Sequence, residues 1–217
     1  MCGIIGIQNN SEAATLAYMG LYAQQHRGQE GAGVVSSDGT VLHRHMGQGL
    51  VADVFSDSAV FDSLIGDSAI GHVRYSTTGN SDPKNVGPLT FNMGDYSLSI
   101  AHNGNLVNID EIRKELQENG TLFQTSTDTE IIIHLLAREK GATLADKLEK
   151  VLQKIEGAYS LILLSPSEII AARDPHGIRP FCMGKLEDTI VFASETCALD
   201  LLGAEYVREV NPGEMIV

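Results

Sequence analysis

A chain of 217 residues, 43% of them hydrophobic and 20% charged, is long enough to bury one sizeable core and too apolar to remain disordered. Fifteen basic residues against 28 acidic ones leave a formal charge of −13, which opposes binding to nucleic acid or anionic membranes and favours a small-molecule or protein partner. Cys2, Cys182 and Cys197 are too few and too scattered for a disulfide framework or a zinc knuckle, and no apolar run reaches a membrane span, so we expect a reducing, cytoplasmic setting.

The chain opens on a strand over 3–7, followed by a helix over 11–25 with Ser11 as N-cap and Leu16, Met19 and Ala23 on its apolar face. Asp38-Gly39 between two apolar runs predicts an antiparallel hairpin. Strands are expected over 69–75 and 96–102, separated by a polar loop over 77–88. Asn108 with Glu111, and Thr127 with Glu130, resemble capping boxes that open two helices, the second burying Ile131, Ile132, Leu135 and Leu136. A third helix carries Leu144, Leu148, Val151 and Ile155, and strands return over 159–164, 169–173 and 189–193. Strands, then helices, then strands argue for an α+β fold in one domain over 1–217.

Removal of Met1 would leave Cys2 with both a thiol and a free α-amine, and an amine titrating near 8 can take the thiol proton, so one residue supplies nucleophile and base. A planar guanidinium such as that of Arg74, at the end of a predicted strand, suits bidentate capture of a carboxylate. GQGLVA over 47–52 matches a dinucleotide-binding pattern, but the run before it is too polar for a buried parallel strand. His43 and His45 share a strand face without zinc-site spacing, the other histidines read as turn or core residues, and Cys182 and Cys197 as buried inert thiols.

Four segments carry a resemblance: MCGIIGI over 1–7, QHRGQEGAG over 25–33, GHVRYST over 71–77 and HNGN over 102–105. Together they resemble the class II glutamine amidotransferases, whose glutaminase domains are N-terminal nucleophile hydrolases. RDPHGIRP over 173–180 and ASETCALD over 193–200 are similar to the members that make phosphoribosylamine from phosphoribosyl pyrophosphate in purine synthesis, departing from them only at His176 and Phe181. The resemblance implies a four-layer αββα sandwich of two antiparallel sheets flanked by helices, with Cys2 at the end of the first strand. It implies that Cys2 attacks the glutamine side chain to form a thioester, that Asn103 and the Gly104 N–H make the oxyanion hole, and that Arg74 grips the α-carboxylate. It assigns the α-ammonium to Asp128, left unengaged if Thr127 caps the helix, a contact to Thr77, and the lining or closing of the pocket to Arg27, with the loop over 75–88 folding over substrate.

The glutaminase step as implied needs no metal, and magnesium and any iron–sulfur cluster would belong mainly to a C-terminal phosphoribosyltransferase domain that we expect to be absent from these residues. The full-length enzyme is expected to be a homo-oligomer. The alternatives are the glutaminase domain of another class II member, such as glucosamine-6-phosphate synthase, or a catalytically silent glutamine-binding module if Met1 is retained.

Overall fold

The computed structural model describes residues 1–75 and 82–217. In chain order its elements are β1 (Gly3–Gln8), α1 (Ala13–Ala23), β2 (Gly31–Ser37), β3 (Leu42–Gln48), α2 (Val51–Val54), β4 (Ser68–Arg74), β5 (Leu89–Asn92), β6 (Ser97–Leu106), α3 (Ile109–Glu118), α4 (Thr129–Arg138), α5 (Leu144–Leu152), β7 (Gly157–Leu164), β8 (Ile169–Arg173), β9 (Cys182–Leu186), β10 (Thr189–Ala193), α6 (Thr196–Leu202), β11 (Glu205–Glu209) and β12 (Met215–Ile216). They form a seven-stranded sheet, β11-β9-β10-β1-β4-β2-β3, and a five-stranded sheet, β12-β8-β7-β6-β5, and every strand pairing is antiparallel.

Alternation along the strands sorts the core into three layers. Ile5, Ile7, Val34, Ala69 and Val191 face α1, α2 and α6 on the outside of the larger sheet. Leu98, Ile100, Leu161 and Leu163 face α4 and α5 on the outside of the smaller one. Ile4, Ile70, Ala101, Ile162, Phe181 and Phe192 fill the space between the sheets. The result is the αββα sandwich expected.

Local departures have physical causes. Helix α1 buries Ala13, Ala17, Gly20 and Leu21, whereas Leu16 and Met19 only border the core. A Cβ on Gly20 would lie 2.0 Å from Ile5 Cδ1, so the helix seats its small residues on the sheet. Ser11 does not cap it: the preceding Asn10 side chain accepts the Glu12 N–H at 2.8 Å. Asn108 does not close a capping box either, because its side chain accepts the Glu156 N–H at 3.0 Å and donates to Lys154 O at 2.9 Å, tying the approach to α3 to the turn before β7. A full capping box opens α5 instead, between Thr143 and Asp146. Asp38 accepts the Thr40 and Val41 N–H groups and closes the β2–β3 hairpin as expected. That makes β3 a half-buried antiparallel edge strand, unlike the buried parallel strand a dinucleotide site needs.

Among the described residues no helix is long and apolar enough to cross a membrane. The RDPHGIRP segment is a hydrogen-bonded turn over two buried side chains: Arg173 donates to the carbonyls of Gly177, Arg179 and Val210, and Asp174 accepts the N–H groups of Tyr159, His176 and Ile178. It ties β8 to the start of β9.

Candidate active site

Cys2 immediately precedes β1 and has the parity of Ile4 and Gly6, so it belongs to the end of the layer between the sheets. Its Sγ lies 3.5 Å from Tyr75 N and 3.7 Å from Tyr75 O, just past the end of β4. Its carbonyl is held from two directions. Arg27 Nε donates to it at 2.9 Å, and the Asn103 amide, oriented with its nitrogen toward Cys2, donates at 3.1 Å while its oxygen accepts from Arg27 Nη2 at 3.2 Å. Arg27 also pairs with Glu195. Its guanidinium is therefore fully used behind the nucleophile and does not line the cavity in front of it, the role expected from the sequence.

That cavity encloses about 80 Å³. Cys2, Arg74, Gly104 and Asp128 line it together with His72, His102, Asn85 and Ser126. Arg74 is buried at the end of β4, where Nη1 donates to Asn85 O at 3.0 Å and Nε lies 3.9 Å from Glu30 Oε2. Asn85 in turn donates to Ser126 Oγ at 3.0 Å and accepts the Ser126 N–H, which joins the Arg74 wall to the segment before α4.

Gly104 sits where the ladder leaves a donor. The Val107 N–H donates to Glu156 O across β7, while the Leu106 N–H points the other way, to Asp128 Oδ2 at 3.1 Å. N–H groups alternate along an antiparallel strand, so the Gly104 N–H shares the Leu106 side, and β5 covers β6 there only as far as Ile100. That donor faces the cavity without a strand partner.

Asp128 is not left free by a Thr127 cap, because Thr127 bonds Thr125 and makes no cap for α4. Its carboxylate accepts the Leu106 N–H and lies 3.4 Å from His102 Nδ1. Burial pushes its pKa up, but His102 and the backbone N–H groups of Leu106 and Thr129 outweigh burial and leave it at about 2. The cavity therefore keeps a fixed negative charge at one wall and the Arg74 cation at another. Thr77, the remaining expected contact, lies outside the described residues, as does part of the loop over 75–88.

His72 and His102 are cavity residues rather than turn or core residues. The His72 ring is buried, and burial, with Arg74 and His102 beside it, outweighs weak backbone hydrogen bonds and pushes its pKa down to about 3. The unfolded chain takes up that proton near pH 6.5 and the folded chain resists it until about pH 3, so stability is whole above 6.5 and falls as pH drops through that window, by up to about 1.4 kcal/mol per pH unit. Denaturant titrations at pH 7, 6 and 5 are expected to show this slope, and His72→Gln to flatten it. Equal slopes in the two proteins would exclude His72 as the source.

Asn85, Ser126 and Glu195 carried no signal in the sequence as site residues, since each acts through a partner 11 to 168 positions away. His43 and His45 bond Asp38 and Val54 O respectively, each within its own hairpin or the following turn. Cys182 is buried, and burial pushes its thiol up to about 12, the inert thiol expected. Cys197 is not buried: it is half-exposed, 3.7 Å from Glu195 Oε2.

Comparison with known proteins adds the following. Residues 72–201 match the family described as glutamine amidotransferase domain. Over the whole chain there is 50% identity to amidophosphoribosyltransferase 2, chloroplastic, of Arabidopsis thaliana and 46% to amidophosphoribosyltransferase of Bacillus subtilis, of which the chain covers 39% and 45% respectively. The crystallised glutamine phosphoribosylpyrophosphate amidotransferase from B. subtilis superposes with a TM-score of 0.93 at 46% identity, over 99% of this chain and 46% of that one. The chain thus spans less than half the length of these relatives.

Proposed function

The chain belongs to the glutamine amidotransferase domain family, and from that membership we propose that it hydrolyses glutamine to glutamate and ammonia with Cys2 as an N-terminal nucleophile. The observation that carries the reading is one small cavity bordered by the Cys2 thiol, a buried arginine, a carboxylate ionised to about pH 2 and Gly104, whose N–H points away from β7. Those are the groups a zwitterionic amino acid with a side-chain amide requires.

Arg74 takes the α-carboxylate and Asp128 the α-ammonium, which fixes the side-chain amide toward Cys2. Cleavage of the Met1–Cys2 bond exposes the α-amine, which accepts the thiol proton. The thiolate forms a C–S bond to the amide carbon, and the carbonyl electrons move to oxygen, where the Gly104 N–H and the second Asn103 amide N–H stabilise them. As the oxyanion collapses the C–N bond breaks, the ammonium form of the amine gives its proton to the leaving nitrogen, and ammonia departs. Water, deprotonated by the same amine, then hydrolyses the thioester to glutamate. Arg27 and Asn103 hold the Cys2 carbonyl throughout, which keeps the nucleophile in place.

The relatives' names carry the reading further. In the complete protein the ammonia passes to a phosphoribosyltransferase domain and forms phosphoribosylamine from phosphoribosyl pyrophosphate for purine synthesis. Magnesium and any iron–sulfur cluster belong with that half, the assembled enzyme is a homo-oligomer, and the three free cysteines agree with a cytoplasmic site. Intact-mass and peptide analysis after incubation with 6-diazo-5-oxo-norleucine tests the core of this. One adduct on Cys2 of a chain lacking Met1 is expected. Retained Met1 with no adduct would favour a silent glutamine-binding module instead.

Arg74→Ala is expected to weaken glutamine binding by about 10- to 100-fold, the worth of a hydrogen-bonded charge pair, in a calorimetric titration. Unchanged affinity would take Arg74 out of the site.

A further inference from the structure

Behind the catalytic cysteine, where the turn after α1 meets the start of α6, three metal-ligating side chains converge. His26 Nε2, Glu195 Oε2 and Cys197 Sγ all lie within 4.8 Å of one another. Glu195 Oε2 is 2.8 Å from the imidazole and 3.7 Å from the thiol. Among the described residues no other three such groups are so placed. We propose that these residues form a binding site for a thiophilic divalent metal ion of the zinc class.

The geometry suits a tetrahedral ion. Zinc bonds to nitrogen, oxygen and sulfur of about 2.0–2.3 Å place the ligand atoms about 3.4–3.6 Å apart. The carboxylate–thiol separation is already close to that, and the carboxylate–imidazole pair opens by about half an ångström once the proton between them is gone. An imidazole, a thiolate and a carboxylate together select zinc over magnesium or calcium, which prefer oxygen alone. The fourth position is left to water.

The carboxylate is also held for the purpose. Its other oxygen, Oε1, pairs with Arg27, so Oε2 is turned toward His26 and Cys197. Against its burial, Arg27 and His26 keep Glu195 below the ordinary carboxylate range, and burial together with Glu195 raises the Cys197 thiol. The metal-free site therefore carries one carboxylate and one thiol proton. Binding forms the metal–sulfur bond and releases that proton, so the divalent charge is balanced by thiolate and carboxylate. Access is open: the His26 side chain is 58% exposed, and Glu195 and Cys197 border a hollow of about 400 Å³ with Phe181 and Tyr206. Glu195 connects the site through Arg27 to the Cys2 carbonyl, so an ion at Oε2 draws charge from the group that positions the nucleophile.

The inference does not depend on the glutaminase reading. The test is a Co²⁺ titration of the 217-residue protein followed by displacement with Zn²⁺. One equivalent should give a thiolate-to-cobalt charge-transfer band and the visible bands of a four-coordinate site, lost when Zn²⁺ is added. Cys197→Ser should abolish the charge-transfer band, His26→Ala should weaken binding by more than the ~10- to 100-fold seen when an outer-shell partner of a metal is removed, and Cys2→Ala should keep the spectrum. Two results would overturn the site: no band at millimolar Co²⁺, or a band that survives Cys197→Ser and vanishes in Cys2→Ala, which would place the ion on the N-terminal cysteine. Matching circular dichroism and melting temperatures would show that each variant is folded.

Discussion

Cys2→Ala is expected to reduce glutamate release to background, a fall of roughly 10⁴-fold or more, while glutamine still binds. The separation of turnover from binding follows from where the contacts fall. The scaffold holds Cys2 by its backbone carbonyl, through Arg27 and Asn103, and those bonds survive the substitution. Among the described residues, the side chain's hydrogen-bond contacts are with the Tyr75 backbone, at 3.5–3.7 Å. Arg74 and Asp128 stay in place for the zwitterion. A coupled glutamate assay reads the first quantity and calorimetry the second, and wild-type turnover by the variant would end the thioester mechanism.

Gly104→Ala should be damaging for two reasons at once. A Cβ there would lie 2.2 Å from Ala158 O, 2.5 Å from His102 Nε2 and 2.8 Å from Tyr159 Cα. Two of those three atoms are backbone of the central strand β7, which cannot step aside, so the strand must shift, at a cost of about 1–3 kcal/mol in stability. The same shift carries the N–H away from the developing oxyanion, and loss of one such donor lowers kcat by about 10²–10³-fold. Asn103→Ala is a second probe that adds no atom, but it removes the bond to the Cys2 carbonyl as well as the oxyanion donor, so its fall in kcat reads both. Thermal melting, calorimetry and steady-state kinetics on both variants check this. A Gly104→Ala protein that is destabilised yet retains wild-type kcat would show that the N–H is no oxyanion donor.

The individual strands and helices follow from features that are local in the sequence, whereas their stacking as two sheets with helices outside was implied by the family resemblance alone. Short continuous apolar runs such as 159–164 and 169–173, bounded by turn residues, read as strands buried on both faces, and the spacing of Ile131, Ile132, Leu135 and Leu136 reads as a helix with one apolar side. Asp38-Gly39 closes its hairpin through bonds to residues two and three positions on. Elements without such a signature were harder to read. β9, with glycine at its centre, β11, exposed along most of its length, and the two-residue β12 are strands because neighbours pair with them. Helix α1 misled for the opposite reason: its large side chains point to the margin because close approach to the sheet requires alanine and glycine at the contact.

The active site divides along the same line. Cys2, Arg74, Gly104 and Asp128 were legible as candidates because the motifs that carry them resemble one family; taken singly, a second-position cysteine, a guanidinium at a strand end, a glycine in a turn and a carboxylate at a helix start are each ordinary features. What these residues do with their neighbours was decided by tertiary structure alone. Arg27 faces away from the cavity because Glu195, 168 positions along the chain, pairs with it, and Asp128 is engaged because β6 brings the Leu106 N–H to it. Burial made His72 a neutral cavity residue, and the meeting of α1 with α6 set Cys197 beside His26. Sequence determines which groups a chain owns and which repeat with a helical or strand period, since both are local. Electrostatic partnership and desolvation depend on distance in space, and only the packed sheets and helices supply that.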